Sequence, residues 1–501
     1  MKNIHFAFFF ILAISGAQAQ PDSALWGTAG DRWTPESRLP DFSFAGYHRG
    51  ESALPSPQVT HNVRDFGAKG DGQTDDSDAF LKAIAEMREG VLFVPEGRYI
   101  ITKILVVDKS RLVLRGEDPA QTTLYFPRPL NDIKPNQGET TGGRPTSNYS
   151  WSGGFIWLQG NLNQKKVAAI VAPAKRGTDT ITLDDTSNIS VGQELELRME
   201  DEPTNSLADH LYSGDPRISM DKILGRTRVT MLSKVTRIAG ATVTLDRPLR
   251  WDIELQWKPI VSNVAPTVTE SGIENLRFEF PNTPYEGHFT ELGNNAFALS
   301  NTVHCWVRNI HVHNADSGGF VSGAFNTIDG MRCTSDRKVD KTRKCTGHHG
   351  LTFGGADNFM TNFDFQTSFI HDLTVSNSAG NVFSDGRGVD LSLDHHRRAP
   401  HENLFTNIDV GKGTRIWMCG GGADLGAHCG ARGTFWNVRA ERTIEPPDKS
   451  FGPWSMNFVG LKMNAAQETN TDGRWFEHTD IGAVQPANLH EAQLARRLGE
   501  K

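Results

Sequence analysis

The sequence predicts an all-β protein built as a parallel β-helix, with a helix over its N-terminal end and a small β subdomain inserted into it. Two observations carry this prediction. A short strand runs through a Gly/Asp-rich turn into an amphipathic helix between residues 63 and 87. From residue 273 onward, a six-residue pattern of apolar and Asn/Asp positions recurs along the chain. Recurrence of one unit at intervals of tens of residues is typical of a solenoid.

The first residues have the features of an export signal. Lys2 and His5 precede an apolar run, Phe6–Ile14, that is too short to span a bilayer. Ala17-Gln18-Ala19 then forms a small-x-small cleavage site. We therefore expect cleavage after Ala19 and a periplasmic or secreted protein with no stable membrane insertion.

Cysteine usage is compatible with export into an oxidising compartment. Cys333 with Cys345, and Cys419 with Cys429, are close enough in sequence for each pair to form a disulfide that closes a loop. Cys305 is then the unpaired one, expected inside a strand. Zinc is the competing use of these residues, but no C-x-x-C is present and the spacing fits no common zinc motif.

Composition and charge exclude some classes of function. Hydrophobic residues make up 37% and charged residues 22% of the chain, which is ordinary for a globular protein. The net charge of −7 disfavours a nucleic-acid binder, because such proteins usually carry a basic field. An anionic substrate remains possible if basic residues cluster locally.

The helix of the first observation begins at an acidic turn. Asp75 or Asp76 can serve as its N-cap, and Gly90 lies beyond its end. Its apolar residues recur at helical spacing and form one face: Ala79, Phe80, Ala83, Ile84 and Met87. Residues 20–60, rich in Pro, Gly, Trp and Arg, are expected to form an extended arm over the main body.

The segment Val-Arg-Asp-Phe-Gly-Ala-Lys-Gly-Asp-Gly-Gln-Thr-Asp-Asp at 63–76 resembles the N-terminal signature of the pectate-lyase-like superfamily. That superfamily includes polysaccharide lyases, polygalacturonase-type hydrolases and phage tailspikes. The resemblance implies a right-handed, single-stranded parallel β-helix whose open end is covered by the helix. Such a cover is needed because a solenoid end exposes apolar core and unpaired strand edges. Turns and caps account for Asp71, Asp75 and Asp76 as structural residues.

Residues 164–262 follow a different pattern. The runs Thr180–Leu183, Glu194–Arg198 and Thr242–Leu245 alternate polar and apolar residues. Alternation is typical of antiparallel strands with one solvated face, so we predict an inserted β subdomain here.

The recurring pattern is apolar-x-Asn/Asp-apolar-x-apolar, at spacings of 34, 63, 35 and 30 residues. The spacing of 63 is interpreted as two coils, one with loop insertions. The repeated Asn/Asp fits a turn or a stacked hydrogen-bonding ladder between coils. A β-sandwich is the competing fold. The five matches are residues 273–278, 307–312, 370–375, 405–410 and 435–440.

The resulting division is a signal peptide (1–19), the arm (20–60), the capping helix and first coils (61–163), the insertion (164–262), the main β-helix with the active-site groove (263–480) and a C-terminal tail (481–501).

The densest polar stretch is 385–402, which holds three His, three Arg, three Asp and one Glu. Alternation of Asp390, Ser392 and Asp394 would place all three on one face of a strand. A solvated charged loop is the alternative. A second cluster is Gly347-His348-His349-Gly350, where the glycines would allow close approach of a ligand or simply form a turn.

Further candidates lie on either side of these clusters. Arg415 and Trp417 suit a sugar subsite, because an indole stacks on a sugar face while a guanidinium holds an anion. His371 falls about one coil before the 385–402 stretch and could share its groove or simply pack within a strand.

These residue types favour β-elimination on a uronic-acid polymer. That reaction needs a neutralised carboxylate, a base near C5 and an acid for the leaving oxygen. Arginines suit the carboxylate because they bind it through two hydrogen bonds, and imidazoles suit the base and acid. We predict catalytic roles for His395, His396, Arg397, His349 and Arg387, and substrate binding by Arg398, His348, Arg415, Trp417, His371 and Asp394. Several β-helix lyases use Ca²⁺ as the neutraliser instead, for which Asp385, Asp390 and Asp394 are the candidate ligands.

Two alternatives remain open. Polygalacturonase-type hydrolases carry four ordered elements, and this sequence offers counterparts to three: Asn314-Ala315-Asp316, Gly347–Gly350 and Arg415–Trp417. The Asp-Asp pair between the first two is missing, and hydrolysis needs paired carboxylates. A non-catalytic carbohydrate-binding solenoid is the other alternative, permitted by the eleven Trp. The prediction is thus an exported, monomeric polysaccharide lyase acting on an acidic polysaccharide.

Overall fold

The computed structural model describes residues 20–465, 468–469 and 472–499. The predicted signal peptide, 1–19, lies outside the described residues. The main body is a β-helix formed by three ladders of parallel strands, which we call ladders A, B and C, and the predicted fold class is confirmed. No helix within the described residues is both long and apolar enough to cross a membrane.

Ladder A runs the length of the β-helix and contains twelve strands in hydrogen-bonding order. They are Val59–Asn62, Gly90–Val94, Leu112–Gly116, Gly272–Glu279, Trp306–His313, Thr327–Thr334, Phe359–Thr361, Val382–Ser384, Leu404–Thr406, Thr434–Trp436, Asn457–Val459 and Trp475–Glu477. The two-residue strand Glu468–Thr469 pairs antiparallel with the last of them.

Ladder B shares the second halves of three long ladder A strands, those that begin at Gly272, Trp306 and Thr327. Its own strands are Asp71–Asp75, Gly97–Ile100, Thr122–Tyr125, Asp364–Phe365 and Arg387–Gly388. Ladder C forms the remaining side. Its strands are Leu105–Val107, Ile156–Gln159, Asn295–Val303, Ser317–Ala324, Gly347–Phe353, Phe369–Val375 and Leu393–His395.

Four α-helices and several short elements complete the described structure. The helices are α1 (Ser77–Glu86), α2 (Leu130–Ile133), α3 (Ser206–Leu211) and α4 (Leu489–Leu498). Single 3₁₀ turns lie at Tyr47–Gly50, Val63–Phe66, Asn148–Ser150, Asp221–Ile223, Leu255–Trp257 and Lys449–Phe451. A two-stranded hairpin is formed by Gln137–Glu139 and Pro145–Ser147.

The recurring Asn marks the bend between ladders A and B. Asn275, Asn309, Asn407 and Asn437 all have φ between 49° and 55°. Asn tolerates this left-handed region better than most residues, and it turns the chain from one ladder to the next. Asn309 also donates from Nδ2 to Asn275 Oδ1 at 2.9 Å, so these turns stack between coils.

One of the five matches belongs elsewhere. Residues 370–375 lie in ladder C, whereas the other four matches follow ladder A. The coils between Val307 and Phe405 pass through Ile328, Met360 and Phe383 as successive register partners. In this stretch, coil length therefore varies from 21 residues, between Val307 and Ile328, to 32 residues, between Ile328 and Met360. The 63-residue spacing from 307 to 370 does contain two coils, from Val307 to Ile328 and from Ile328 to Met360, and its last ten residues lead into ladder C.

A second set of asparagines forms a buried ladder inside the β-helix. Asn326, Asn358, Asn381 and Asn403 are each fully buried. The side-chain oxygens of Asn358, Asn381 and Asn403 each accept from both the backbone N–H and the Nδ2 of the asparagine one coil earlier, at 2.9–3.1 Å. The ladder satisfies polar groups that would otherwise be unpaired at the bend leading into ladder A.

Helix α1 covers the N-terminal end of the solenoid. Its side chains Ala79, Phe80, Ala83 and Ile84 are buried in the main core cluster. Asp75 Oδ1 accepts from the first helical N–H, that of Ser77, at 3.0 Å. The arm that begins at residue 20 and helix α4 cover the outer face of ladder A, where they share an apolar cluster.

The insertion is a six-stranded antiparallel sheet with its own core. Its strands are Lys165–Ala169, Thr180–Thr182, Glu194–Glu200, Arg228–Ala239, Thr242–Leu245 and Ile260–Asn263. A buried ion network joins it to the β-helix. Arg176 and Arg250 of the insertion lie 3.0 and 3.5 Å from the Glu402 carboxylate, which also pairs with Arg432. Arg250 and Arg247 both pair with the buried Asp357 as well, Arg247 at 2.8 Å.

All five cysteines are free thiols, so neither predicted disulfide is formed in this structure. Cys333 lies in the main core, whereas Cys345 lies in a separate apolar cluster outside it, and proximity in sequence did not reveal this separation. Cys429 is in the main core and Cys419 packs against it.

Candidate functional site

A cluster of imidazoles lies on the outer face of ladder C. His349 and His371 are register partners on adjacent strands, with ring centroids 5.0 Å apart. His348 lies 4.1 Å from His349, and His396 lies 5.1 Å from His371. Parallel in-register strands stack such residues at every coil, which is why residues far apart in sequence form one patch.

A fifth imidazole reaches the patch from a loop. His288 belongs to residues 280–294, between two strands of ladders A and C, and its ring is 4.6 Å from His348 and 5.7 Å from His371. Phe289 stacks on His288 and also contacts His348 edge-on. This loop covers His348 and His371, and both of these residues and His349 are buried although they lie outside the apolar core.

Asp394 is the anionic centre of the cluster. It is fully buried, and its Oδ2 lies 2.9 Å from His396 Nδ1 and 3.2 Å from His371 Nδ1. Gly420 N and Thr374 Oγ1 also donate to this carboxylate, at 2.7 and 3.2 Å. Burial raises the pKa of Asp394, but His371 and His396 outweigh that effect and hold the pKa well below its ordinary value.

The interior histidines are neutral near neutral pH. Burial lowers the pKa of His348 and His349 well below the ordinary value, and the neighbouring imidazoles add to the effect. Burial likewise lowers the pKa of His371, and lowers that of His288 to about 3. A neutral imidazole has an unprotonated nitrogen that can accept a proton or bind a metal ion.

A second buried carboxylate borders the cluster. Glu291 Oε1 lies 3.5 Å from His348 Nδ1 and accepts a hydrogen bond from the Tyr285 hydroxyl. Burial raises the pKa of Glu291 to about 7. Glu291 is therefore close to half-protonated near neutral pH.

A cleft of about 600 Å³ opens beside His288. Three cations, Lys338, Lys341 and Arg343, line it together with the carboxylates of Glu286 and Asp340, so positive charge is in excess. Arg144 lies nearby, with its guanidinium 6.0 Å from the centre of the Phe289 ring. This arrangement supplies the local basic cluster that an anionic ligand needs on an otherwise acidic protein.

Four predicted site residues converge with Asp394 in this cluster: His348, His349, His371 and His396. His395 does not. Its ring is fully buried on the inner side of the coil against Phe405 and Phe435, because successive side chains of a strand point to opposite faces. The predicted catalytic role of His395 is therefore wrong.

The predicted arginines are dispersed. Arg387 lies on ladder B, where it forms an exposed ion pair with Asp364 at 3.1 Å. Arg397 follows His396 directly and donates to the Gly426 carbonyl at 2.6 Å. Arg398 is exposed and, like Arg397, has a left-handed backbone, with φ of 65° and 62°. Such strain in consecutive non-glycine residues is often found at functional sites.

The predicted sugar subsite is not formed as expected. Arg415 is nearly buried, donates to the Phe369 and Ile370 carbonyls and lies 3.4 Å from Asp372. Trp417 donates to a backbone carbonyl, and its ring packs edge-on against Phe435. Both side chains support the coil, because the loop that carries them folds back onto the end of the core.

The aspartates considered for Ca²⁺ do not converge. Asp385 is bonded to Asn407 and Asn488, Asp390 to Thr414, and Asp394 to the histidines. The strand here spans only Leu393–His395, so the predicted alternation from 390 to 394 on one face is also wrong. These residues do not fit a shared calcium site.

The hydrolase-like elements also lack free carboxylates. Asp316 is buried, pairs with Arg337 at 2.8 Å and accepts from Asn294 N. Both carboxylate oxygens of Asp316 are therefore engaged in structural contacts.

Sequence reasoning missed His288, Glu291 and Arg343. They lie on loops that enter the cluster from other coils, and no local pattern links them to 347–402. The one available signal was the concentration of His, Glu and aromatic residues in Tyr285–Glu291 at an insertion between two strands.

Comparison with known proteins gives a local match. A family model described as "Rhamnogalacturonase A/epimerase, pectate lyase-like" matches residues 60–137. A glucan 1,3-beta-glucosidase of Cochliobolus carbonum is 42% identical over 65 residues, 10% of this chain and 8% of that protein. A polygalacturonase of Prunus persica is 45% identical over 58 residues, 11% of this chain and 14% of that one. The chain thus spans less than a sixth of each of these two relatives.

Among solved structures, the tailspike protein gp49 from Pseudomonas phage LKA1 is 13% identical, with a TM-score of 0.47 over 83% of this chain and 68% of that one. The matched N-terminal segment includes the capping helix and the first strands of the β-helix. Residues 60–137 are therefore the part of the chain that is similar to the pectate-lyase-like family.

Proposed function

We propose that this protein is an exported polysaccharide lyase that cleaves a uronic-acid-containing polymer by β-elimination in the groove over ladder C. The observation that carries the proposal is the hydrogen-bonded pair of Asp394 and His396 at the edge of the histidine cluster. Export is supported by the signal-like first nineteen residues of the sequence.

His396 has the geometry of a general base. Its Nδ1 faces the buried Asp394 carboxylate, which fixes the tautomer with the proton on Nδ1 and leaves Nε2 unprotonated. Within the described part of the chain, Nε2 has no hydrogen-bond partner, and the side chain is 32% exposed. A base must be both oriented and accessible, and His396 combines the two.

The neighbouring cations suit the substrate's carboxylate. The C5 proton of a uronate is only weakly acidic while the adjacent carboxylate keeps its full charge. Arg343, Lys341 and Arg144 border the cluster and can bind that carboxylate, which stabilises the charge that develops when C5 loses its proton. His396 then takes the C5 proton, the bond to the leaving oxygen breaks, and the imidazolium can return a proton to that oxygen.

A glycoside hydrolase is the second candidate. Glu291, whose pKa burial raises to about 7, resembles the protonated carboxylic acid that such enzymes require, and two relatives are named as a glucosidase and a polygalacturonase. It ranks second because Glu291 is only 3% exposed and Asp316 is held by Arg337.

Incubation of the purified protein with a panel of acidic polysaccharides tests the proposal. A lyase produces unsaturated uronate ends that absorb in the ultraviolet, and we expect this signal to fall by at least about 100-fold in His396→Ala and in Asp394→Asn. The half-buried His61, on the first strand of ladder A, provides the control variant His61→Ala, which should keep full activity.

The other outcomes reject the proposal. New reducing ends without ultraviolet absorbance would identify a hydrolase. No new ends on any polymer, together with measurable binding, would identify a carbohydrate-binding solenoid. Amino-terminal sequencing of protein recovered outside the cytoplasm tests export, which predicts a mature chain beginning at Gln20.

A further inference from the structure

His288, His348 and His371 bring three imidazole nitrogens within 4.8 Å of one another. Four-coordinate zinc has Zn–N distances of 2.0–2.1 Å, which places ligand nitrogens about 3.3 Å apart. His348 and His371 lie on adjacent strands of ladder C, whereas His288 lies on a loop. Zinc binding would therefore require these three nitrogens to move closer together than the 4.8 Å within which they now lie.

Each of the two strand-borne histidines has a carboxylate behind it. Glu291 Oε1 is 3.5 Å from Nδ1 of His348, and Asp394 Oδ2 is 3.2 Å from Nδ1 of His371. In metal sites, such a carboxylate accepts the Nδ1 proton and directs Nε2 toward the ion. The same arrangement occurs here twice, on two different coils.

The polar groups of this cluster are not satisfied by the protein alone. His371 is 2% exposed; its Nδ1 faces Asp394, but its Nε2 makes no hydrogen bond with the described residues. Oε2 of Glu291 is likewise buried without a hydrogen-bond partner among the described residues. Buried polar atoms are nearly always paired, so unpaired atoms on two residues of one cluster indicate a missing ligand.

We propose that His288, His348 and His371 bind a divalent transition-metal ion of the zinc class. Imidazole nitrogen is a preferred ligand of Zn²⁺, whereas Ca²⁺ and Mg²⁺ prefer oxygen. Three protein ligands leave a fourth position for water or for an anionic group of a substrate. Asp394 is excluded from the ligand set because Gly420, Thr374 and His396 already occupy its oxygens.

The charges around the site act in both directions. Glu291 and Asp394 favour a cation, and both are buried beside the ligands. Arg144 and Arg343 oppose it, but both are exposed, so solvent screens them. The balance favours binding, and the proposal does not depend on whether the protein cleaves a polymer.

The test is zinc binding by the full, tag-free mature chain, measured by isothermal titration and by metal analysis after dialysis. We expect one Zn²⁺ per chain, unaffected by an equal concentration of Ca²⁺. His288→Ala and His371→Ala should abolish this binding. Glu291→Gln should weaken it by about 10- to 100-fold, the usual effect of losing such a supporting carboxylate.

His490→Ala is the matched control. His490 is equally buried on α4, and its ring nitrogens have no hydrogen-bond partner among the described residues, but it lies outside the cluster. This variant should bind Zn²⁺ like the wild type. Circular dichroism and the unfolding temperature verify that each variant folds. His288→Ala should disturb folding least, because His288 lies on a loop. Wild-type binding below one ion per chain, or full binding by His288→Ala, would overturn the proposal, as would loss of binding in His396→Ala alone.

Discussion

Replacing Glu402 with glutamine tests whether the insertion is held to the β-helix by buried charge. The carboxylate lies among Arg176 and Arg250 of the insertion and Arg432 of the β-helix. Burial raises the pKa of Glu402, but the three arginines outweigh it and lower the pKa from 4.5 to about 2. This difference corresponds to roughly 3 kcal/mol of stability at neutral pH. The glutamine variant should lose about that amount, because three guanidinium groups would remain without their partner.

The pH dependence follows from the direction of the shift. A carboxyl group with a depressed pKa stabilises the folded state fully above its unfolded pKa of 4.5, and the contribution disappears as the pH falls toward 2. The difference between wild type and Glu402→Gln should therefore be largest at pH 7 and should shrink at pH 3. Urea unfolding followed by tryptophan fluorescence measures it, since Trp251 and Trp257 are buried in the insertion core.

Glu254→Gln is the control for this experiment. Glu254 lies in the same subdomain, but its side chain is 39% exposed and its distance to Lys175 is 3.6 Å. An exposed pair of this kind contributes less than about 1 kcal/mol. If Glu402→Gln unfolds within 0.5 kcal/mol of the wild type, or if its deficit is the same at pH 3 and pH 7, the charge argument fails; the 0.5 threshold is about the size of an ordinary surface substitution.

Three further predictions concern the β-helix itself. His395→Leu should keep enzymatic activity and change the free energy of unfolding by less than about 1.5 kcal/mol, because the ring lies in the apolar core; an activity loss equal to that of His396→Ala would contradict its inward orientation. Asn381→Ala should cost about 2 kcal/mol or more in urea unfolding, because Asn358 loses the acceptor of two buried donors; the exposed Asn188→Ala should be neutral, and equal effects would rule out the ladder argument. Thiol titration of the denatured, unreduced protein should find all five cysteines reactive, whereas a count of one would restore the two predicted disulfides.

The fold could be predicted because two of its requirements are local. A solenoid end must be covered, and the helix that covers it has a capping turn and one apolar face within 25 residues of sequence. The bend between ladders A and B requires a left-handed residue, and Asn supplies it at Asn275, Asn309, Asn407 and Asn437. The same residue type therefore appears at these bends in the sequence, and the repeat becomes visible. Residues 370–375 matched the same pattern by composition alone, because Asp372 lies in an extended strand and bonds to Ser392 instead.

The candidate site could be predicted only in part because its residues meet through the stacking of coils. His348, His349, His371 and His396 stood out as unusual residue types in three successive coils. Whether a given residue faces the groove depends on strand phase, and one step of phase separates His395, in the core, from Asp394, at the centre of the site. The sequence pattern did not reveal the bounds of the three-residue strand Leu393–His395, because polar residues surround it on both sides.

Loops that fold over ladder C explain why the sequence predicted the wrong cationic residues for the site. The sequence interpretation assigned the cationic role to Arg387, Arg397 and Arg398 because they were near the histidines along the chain. In the structure, proximity is decided by which insertions fold over ladder C, and these bring His288, Glu291 and Arg343 to the cluster instead. Glu291 and Asp394 each lie behind a histidine, so the same two carboxylates orient imidazoles whether those act on a proton or on a metal ion. Replacing either carboxylate by its amide should therefore affect proton transfer and ion binding differently: Asp394→Asn acts on both, through His396 and His371, and Glu291→Gln acts on ion binding through His348.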